Sequence, residues 1–116
     1  MKNLVLVFLA LVGFAFTSNA QEKKKKNAKH DIEVLGNCDM CKKRIEKAAY
    51  AIKGVKSAEW HSEDQTLHVI IDENKTSTTV ICEAVAKVGH DTGDVRATDE
   101  DYAALHTCCV YERKAE

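Results

Sequence analysis

The chain has 116 residues, room for one small domain with a modest core. Its 17 basic and 18 acidic residues nearly cancel, so nothing in the charge balance argues for nucleic-acid binding. Five cysteines are an odd number, and a scaffold of internal disulfides cannot account for all of them.

Residues 1–20 read as a secretory leader. Lys2 gives a short positive start, Leu4 to Phe16 is a nearly unbroken apolar run, and Ser18-Asn19-Ala20 offers a small-x-small cleavage pattern before Gln21. The run is short for a permanent membrane span, which is the competing reading. No cysteine follows the cut, so lipidation there is not indicated. The expected product is a periplasmic or secreted chain of about 96 residues, with a net charge of about −2 once Lys2 is removed. Cysteines in such compartments tend to pair. Residues 21–29, QEKKKKNAK, are polar and lack apolar periodicity, which predicts a disordered lysine-rich linker.

A domain is predicted over 30–97. Ile32 and Val34 alternate with charged residues as in a strand. From Lys42 the period changes, and Ile45, Ala48, Ala49 and Ile52 mark one face of a helix that Gly54 ends. Val55, Ala58 and Trp60 fit a second strand with an irregularity between Val55 and Ala58. After a polar turn at Ser62 to Gln65, Leu67, Val69 and Ile71 alternate along a third. Thr76 or Ser77 caps a second helix containing Val80, Ile81, Ala84, Val85 and Val88, stopped at Gly89. A fourth strand is expected around Thr92 to Ala97. With right-handed crossovers, β-α-β-β-α-β closes as an α+β ferredoxin-like sandwich: four antiparallel strands with two helices on one face. Residues 98–116 form an extension with a helix start at Thr98-Asp99-Glu100-Asp101, and with Tyr102, Leu105, Val110 and Tyr111 as apolar docking surface.

The chemistry concentrates in Gly36-Asn37-Cys38-Asp39-Met40-Cys41, between the first strand and the first helix. Free backbone N–H groups at a helix start favour a thiolate. Lys42, Lys43 and Arg44 add positive charge, so both thiol pKa values are expected to fall. A thioredoxin-like redox pair, a c-type haem site and a structural zinc site also use paired cysteines. The first usually places a cis-proline beside its dithiol, and this chain has no proline. The second needs histidine where Lys42 stands. The third needs two further ligands. Two thiolates suit a soft ion such as Cu(I) or Hg(II), which tolerates two-coordinate sulfur and can exchange between thiol pairs. A plain local disulfide is the competing explanation.

Strand, GNCDMC, amphipathic helix, hairpin, second helix and Gly89-His90-Asp91 together resemble the heavy-metal-associated domain family, over roughly residues 30–97. Its members include copper chaperones, metal-binding modules of copper-exporting ATPases and the periplasmic mercuric-ion binding protein. The resemblance implies that Cys38 and Cys41 bind the ion. It also implies that the loop carrying His90 approaches the site, where this histidine would donate to sulfur or supply a third ligand. Gly36 departs from the family, which usually has methionine there, packed beneath the loop. Met40 would either turn inward to replace it or stay exposed as a thioether ligand.

His106-Thr107-Cys108-Cys109 supplies a second group of soft ligands. Adjacent cysteines do not easily bond to each other. The tail pair would chelate its own ion, fold over Cys38 and Cys41, or form disulfides. Cys82 and Trp60 read as core, and His30, His61 and His68 as solvated imidazoles. The cations of the first helix could guide an acidic partner, although a solvated helix face explains them as well.

The sequence predicts a non-enzymatic protein that holds Cu(I), with Hg(II) or Zn(II) as alternatives, and delivers it to a membrane transporter or exporter, or buffers it. It would be a monomer or a metal-bridged dimer. The alternative is a periplasmic dithiol redox protein using Cys38 and Cys41.

Overall fold

The structure, a computed structural model, describes residues 24–115. The expected leader, residues 21–23 of the linker and Glu116 lie outside the described residues. The ordered elements are β1 (Ala28–Glu33), α1 (Asp39–Tyr50), β2 (Val55–His61), β3 (Thr66–Ile71), α2 (Thr78–Lys87) and α3 (Asp99–Ala103), followed by a 3₁₀ turn at Thr107–Cys109. The lysine-rich segment is therefore structured at its end. Ala28 is a buried core residue paired with Ile71, and the backbones of Lys25 and Glu73 meet at 2.8 Å. Composition hid this because a single small apolar residue anchors the segment.

The sheet order is β1-β3-β2, antiparallel throughout, with a register shift between Val55 and Ser57 at the irregularity the sequence predicts. Ala58 and Trp60 of β2 and Leu67, Val69 and Ile71 of β3 share the buried face. Against it lie Cys41, Ile45 and Ala49 of α1 and Ile81, Cys82 and Val85 of α2. Helical spacing puts each triplet on one helix face, which is why both helices pack on the same side of the sheet. Ser77 caps α2 through its hydroxyl, which accepts from the Val80 amide.

Among the described residues the sheet has three strands. The expected fourth is reduced to one antiparallel bridge, Val34 with Thr92. Leu35 donates to the Asp91 carbonyl and Gly93 to that of Glu33. Beyond that point the backbone bonds to itself: the Thr92 amide reaches Val95 at 2.8 Å, the Val95 amide returns to the Thr92 hydroxyl at 2.9 Å, and Ala97 donates to the Asp91 carboxylate at 2.8 Å. A tight turn consumes the groups a strand would have offered.

The histidines read as solvated are partly exposed, and each also has a carboxylate neighbour. His30 Nε2 is 3.0 Å from Glu73, and His68 Nδ1 is 2.7 Å from Asp31. Cys82 lies in the core as expected, and burial raises its thiol pKa.

Candidate metal centre

Cys38 occupies the N-cap position of α1 in an extended conformation, and its carbonyl accepts the Lys42 amide at 3.0 Å. Cys41 follows in the first turn and is fully buried. The two sulfurs are 3.6 Å apart. The loop beneath them has no room for a side chain at Gly36. A Cβ there would lie 3.0 Å from the Trp60 ring and 3.2 Å from the Cys41 Cβ. Trp60 fills the space under the loop and donates its indole N–H to the Val34 carbonyl at 2.9 Å. The glycine and the tryptophan thus form a matched pair that does the packing work of the family's usual methionine. Gln65, in the β2–β3 turn, completes the loop's support by accepting the Gly36 amide at 2.9 Å. Sequence reasoning placed Gln65 in a polar turn and gave no hint of this role, because its partner lies 29 positions away.

Met40 does not turn inward. It stays 45% exposed, and the Cys108 thiol lies 3.4 Å from its sulfur. The tail therefore folds over the first pair. Cys109 is fully buried, with its sulfur 3.6 Å from that of Cys38 and 3.9 Å from that of Cys108. The sulfurs of Cys38, Cys108 and Cys109 all lie within 4.8 Å of one another. Cys41 sits just behind them and points its thiol at the Cys109 carbonyl, 3.8 Å away.

The two loop thiols do not behave alike. The backbone amide of Cys41 draws the Cys38 thiol down to about 7, against the opposing effect of burial and with help from Cys109. Burial pushes Cys41 up to about 12, and the neighbouring Cys109 thiol adds to the rise. The expectation that both values fall is corrected: the same turn leaves one sulfur partly open and buries the other completely. Nor is Lys42 among the groups that lower the Cys38 value. The Lys42 ammonium binds Glu46 at 2.6 Å and the Trp60 carbonyl at 2.9 Å.

Two residues singled out in the sequence stand apart from the sulfurs. His90 is fully buried, stacks on Tyr111 with ring centroids 5.6 Å apart, and donates Nδ1–H to the Leu35 carbonyl at 2.9 Å. Burial chiefly lowers its pKa and keeps the ring neutral. It braces the loop from behind and is not among the clustered ligand atoms. His106 is exposed, and its contribution is a backbone carbonyl that accepts the Cys109 amide at 2.8 Å.

A ferredoxin-like layer that gathers thiols at one helix start defines a small thiolate metal-binding domain. Solved structures share this architecture. The copper chaperone of Enterococcus hirae, in its apo form, is 32% identical, with a TM-score of 0.52 over 56% of this chain and 96% of its own. The N-terminal domain of a potential copper-translocating P-type ATPase from Bacillus subtilis, Cu(I)-loaded, is 30% identical, with a TM-score of 0.55 over 57% of this chain and 84% of its own. Oxidized MerP from Ralstonia metallidurans CH34 is 25% identical, with a TM-score of 0.55 over 58% of this chain and 94% of its own. The chain belongs to the heavy-metal-associated domain family. No protein-family model and no curated protein matches it in sequence.

Proposed function

We propose that the protein captures a soft ion, Cu(I) foremost and Hg(II) or Zn(II) as alternatives, through Cys38 and Cys41, and passes it to a membrane transporter. It would do so in the periplasm or outside the cell, after loss of residues 1–20, and without catalytic turnover. The observation that carries this reading is the convergence of the two sulfurs, 3.6 Å apart, at the start of α1. Soft cations prefer such sulfur donors over oxygen. The copper and mercury proteins among the structural relatives, and the ATPase domain in particular, support both the cargo and the kind of recipient. The tail over the loop supplies further sulfur from the same chain, which favours a monomer over an ion shared by two copies.

A dithiol redox role is the second reading. It is favoured by the asymmetry of the pair, a partly buried low-pKa sulfur in front of a fully buried high-pKa one. Anaerobic titration of the reduced protein separates the two. Stoichiometric uptake of Cu(I) in competition with a chelator, without insulin-reductase activity, supports the metal reading. Insulin reduction with no ion uptake refutes it.

A further inference from the structure

The tail cysteines suggest more than an accessory to the Cys38–Cys41 pair. Resting on the soft-ion reading above, we propose that Cys38, Cys108 and Cys109 form a three-thiolate site for one soft ion, assembled by a C-terminal strap. Cys38 would then belong to two ligand sets, one facing Cys41 and one facing the tail.

The sulfur spacing favours this site. With metal–sulfur bonds of about 2.3 Å, three sulfurs around one ion lie about 4.0 Å apart, whereas a linear pair lies about 4.6 Å apart. Cys109 is 3.6 Å from Cys38 and 3.9 Å from Cys108, and all three sulfurs fit within 4.8 Å. The Met40 thioether, 3.4 Å from Cys108, adds a soft neighbour on the solvent side.

The strap is held on both flanks of these cysteines. Before them, Leu105 packs against the core and against Gly89, where an added Cβ would lie 2.8 Å from the leucine. After them, the Asn37 side chain donates to the Val110 carbonyl at 2.8 Å. The Tyr111 hydroxyl accepts the Asp91 amide at 2.7 Å and donates to the Gly89 carbonyl at 2.8 Å. Arg113 then grips the buried Asp91 carboxylate with two bonds of 2.8 Å and reaches the Ala97 carbonyl. Ligands fixed by such contacts are preorganised, so ordering the tail does not have to be offset by ion binding. Each thiol that ligates releases its proton to water.

The test uses the reduced full chain under anaerobic conditions, with Cu(I) supplied from a chelator and X-ray absorption to count sulfur ligands. Cys41→Ser is expected to hold one Cu(I) through three sulfurs. Cys41→Ser/Cys108→Ser should show two sulfurs and a loss of affinity on the order of a hundredfold, since a tethered ligand acts at high effective concentration. Two sulfurs in Cys41→Ser, or equal affinity in the two variants, overturns the proposal. Should the Cys41→Ser chain fail to fold by circular dichroism, Cys108→Ser alone decides. This thiol is exposed, and its removal should weaken Cu(I) retention by about tenfold or more. Unchanged retention overturns the site. Arg113→Ala, which removes no sulfur, should weaken retention in the same direction, and retention equal to the parent protein refutes the strap's part. Loss of Cu(I) binding by the unaltered protein would instead refute the soft-ion reading itself.

Discussion

The two cysteine-bearing segments meet at one place but are held by different physics. The Gly36–Cys41 loop is built into the core. Trp60 packs under it, Cys41 is buried, and α1 begins within it. The strap sinks only Cys109 and Tyr111 into the core, and much of its hold is polar: hydrogen bonds and one buried ion pair, Arg113 with Asp91. Apolar packing is cooperative with the fold, whereas a polar latch can open locally without global unfolding. One region is a fixed platform, and the other is a part that can be removed selectively.

Trp60→Ala should produce the largest effect. Emptying this site costs about 3–5 kcal/mol and strips the Val34 carbonyl of its indole partner. Urea unfolding should show it, and both segments should loosen together. A variant in which the loop melts while the strap stays protected from amide exchange would contradict the platform picture.

Asp91→Ala tests the latch. It leaves the Arg113 guanidinium, 11% exposed, without its main partner, and a loss of about 3 kcal/mol is expected in strap opening. Exchange at the Cys109 amide should accelerate while exchange at the Lys42 amide in α1 does not. Acid should act in the same way. Burial pushes the Asp91 carboxyl up, but Arg113 and the Ala97 amide outweigh it, and the folded value lies below the usual 3.8. Stability from this group is therefore complete above 3.8 and is lost as pH falls through the lowered folded value. His90 adds an earlier loss: its folded pKa is depressed, so its contribution is present above 6.5 and declines as pH falls below that.

Gly36→Met restores the family's usual residue and should nonetheless destabilise this chain by about 1–3 kcal/mol, because the Trp60 ring already occupies the space. Combining it with Trp60→Val should cost less than the sum of the single changes, a coupling of about 0.5–3 kcal/mol. Strict additivity would mean that the two residues do not share one space.

The difference in construction also explains what the sequence revealed. Both helices, three strands and the register irregularity were legible because apolar residues recur at helical or strand period within each element. Cys38 and Cys41 were legible through their spacing and the change of period beside them. The latch was not, since Asp91 and Arg113, or Asn37 and Val110, carry no local pattern and are joined only by the folded path. Docking of the tail could be anticipated from Tyr102, Leu105 and Tyr111, but not the landing of Cys109 beside Cys38. His90 misled for a related reason. The family resemblance placed its loop near the site, but the stacking on Tyr111 that turns the ring into the core depends on a tail the family pattern does not include.

The smallest expected effect joins the two regions. Iodoacetamide should modify Cys38 with a pH midpoint of about 7, while Cys41 stays protected until about 12 or until the fold opens. The Cys41 amide within the loop is the largest cause of the lowered Cys38 value, burial opposes it, and Cys109 lowers it by a lesser part from the strap. Releasing the strap with Asp91→Ala removes the Cys109 contact and part of the opposing burial together, so the midpoint should stay below the ordinary thiol value of 9.0. Peptide mapping by mass spectrometry can follow each cysteine separately. A midpoint that returns fully to 9.0 would make the strap, not the helix start, the source of the thiolate.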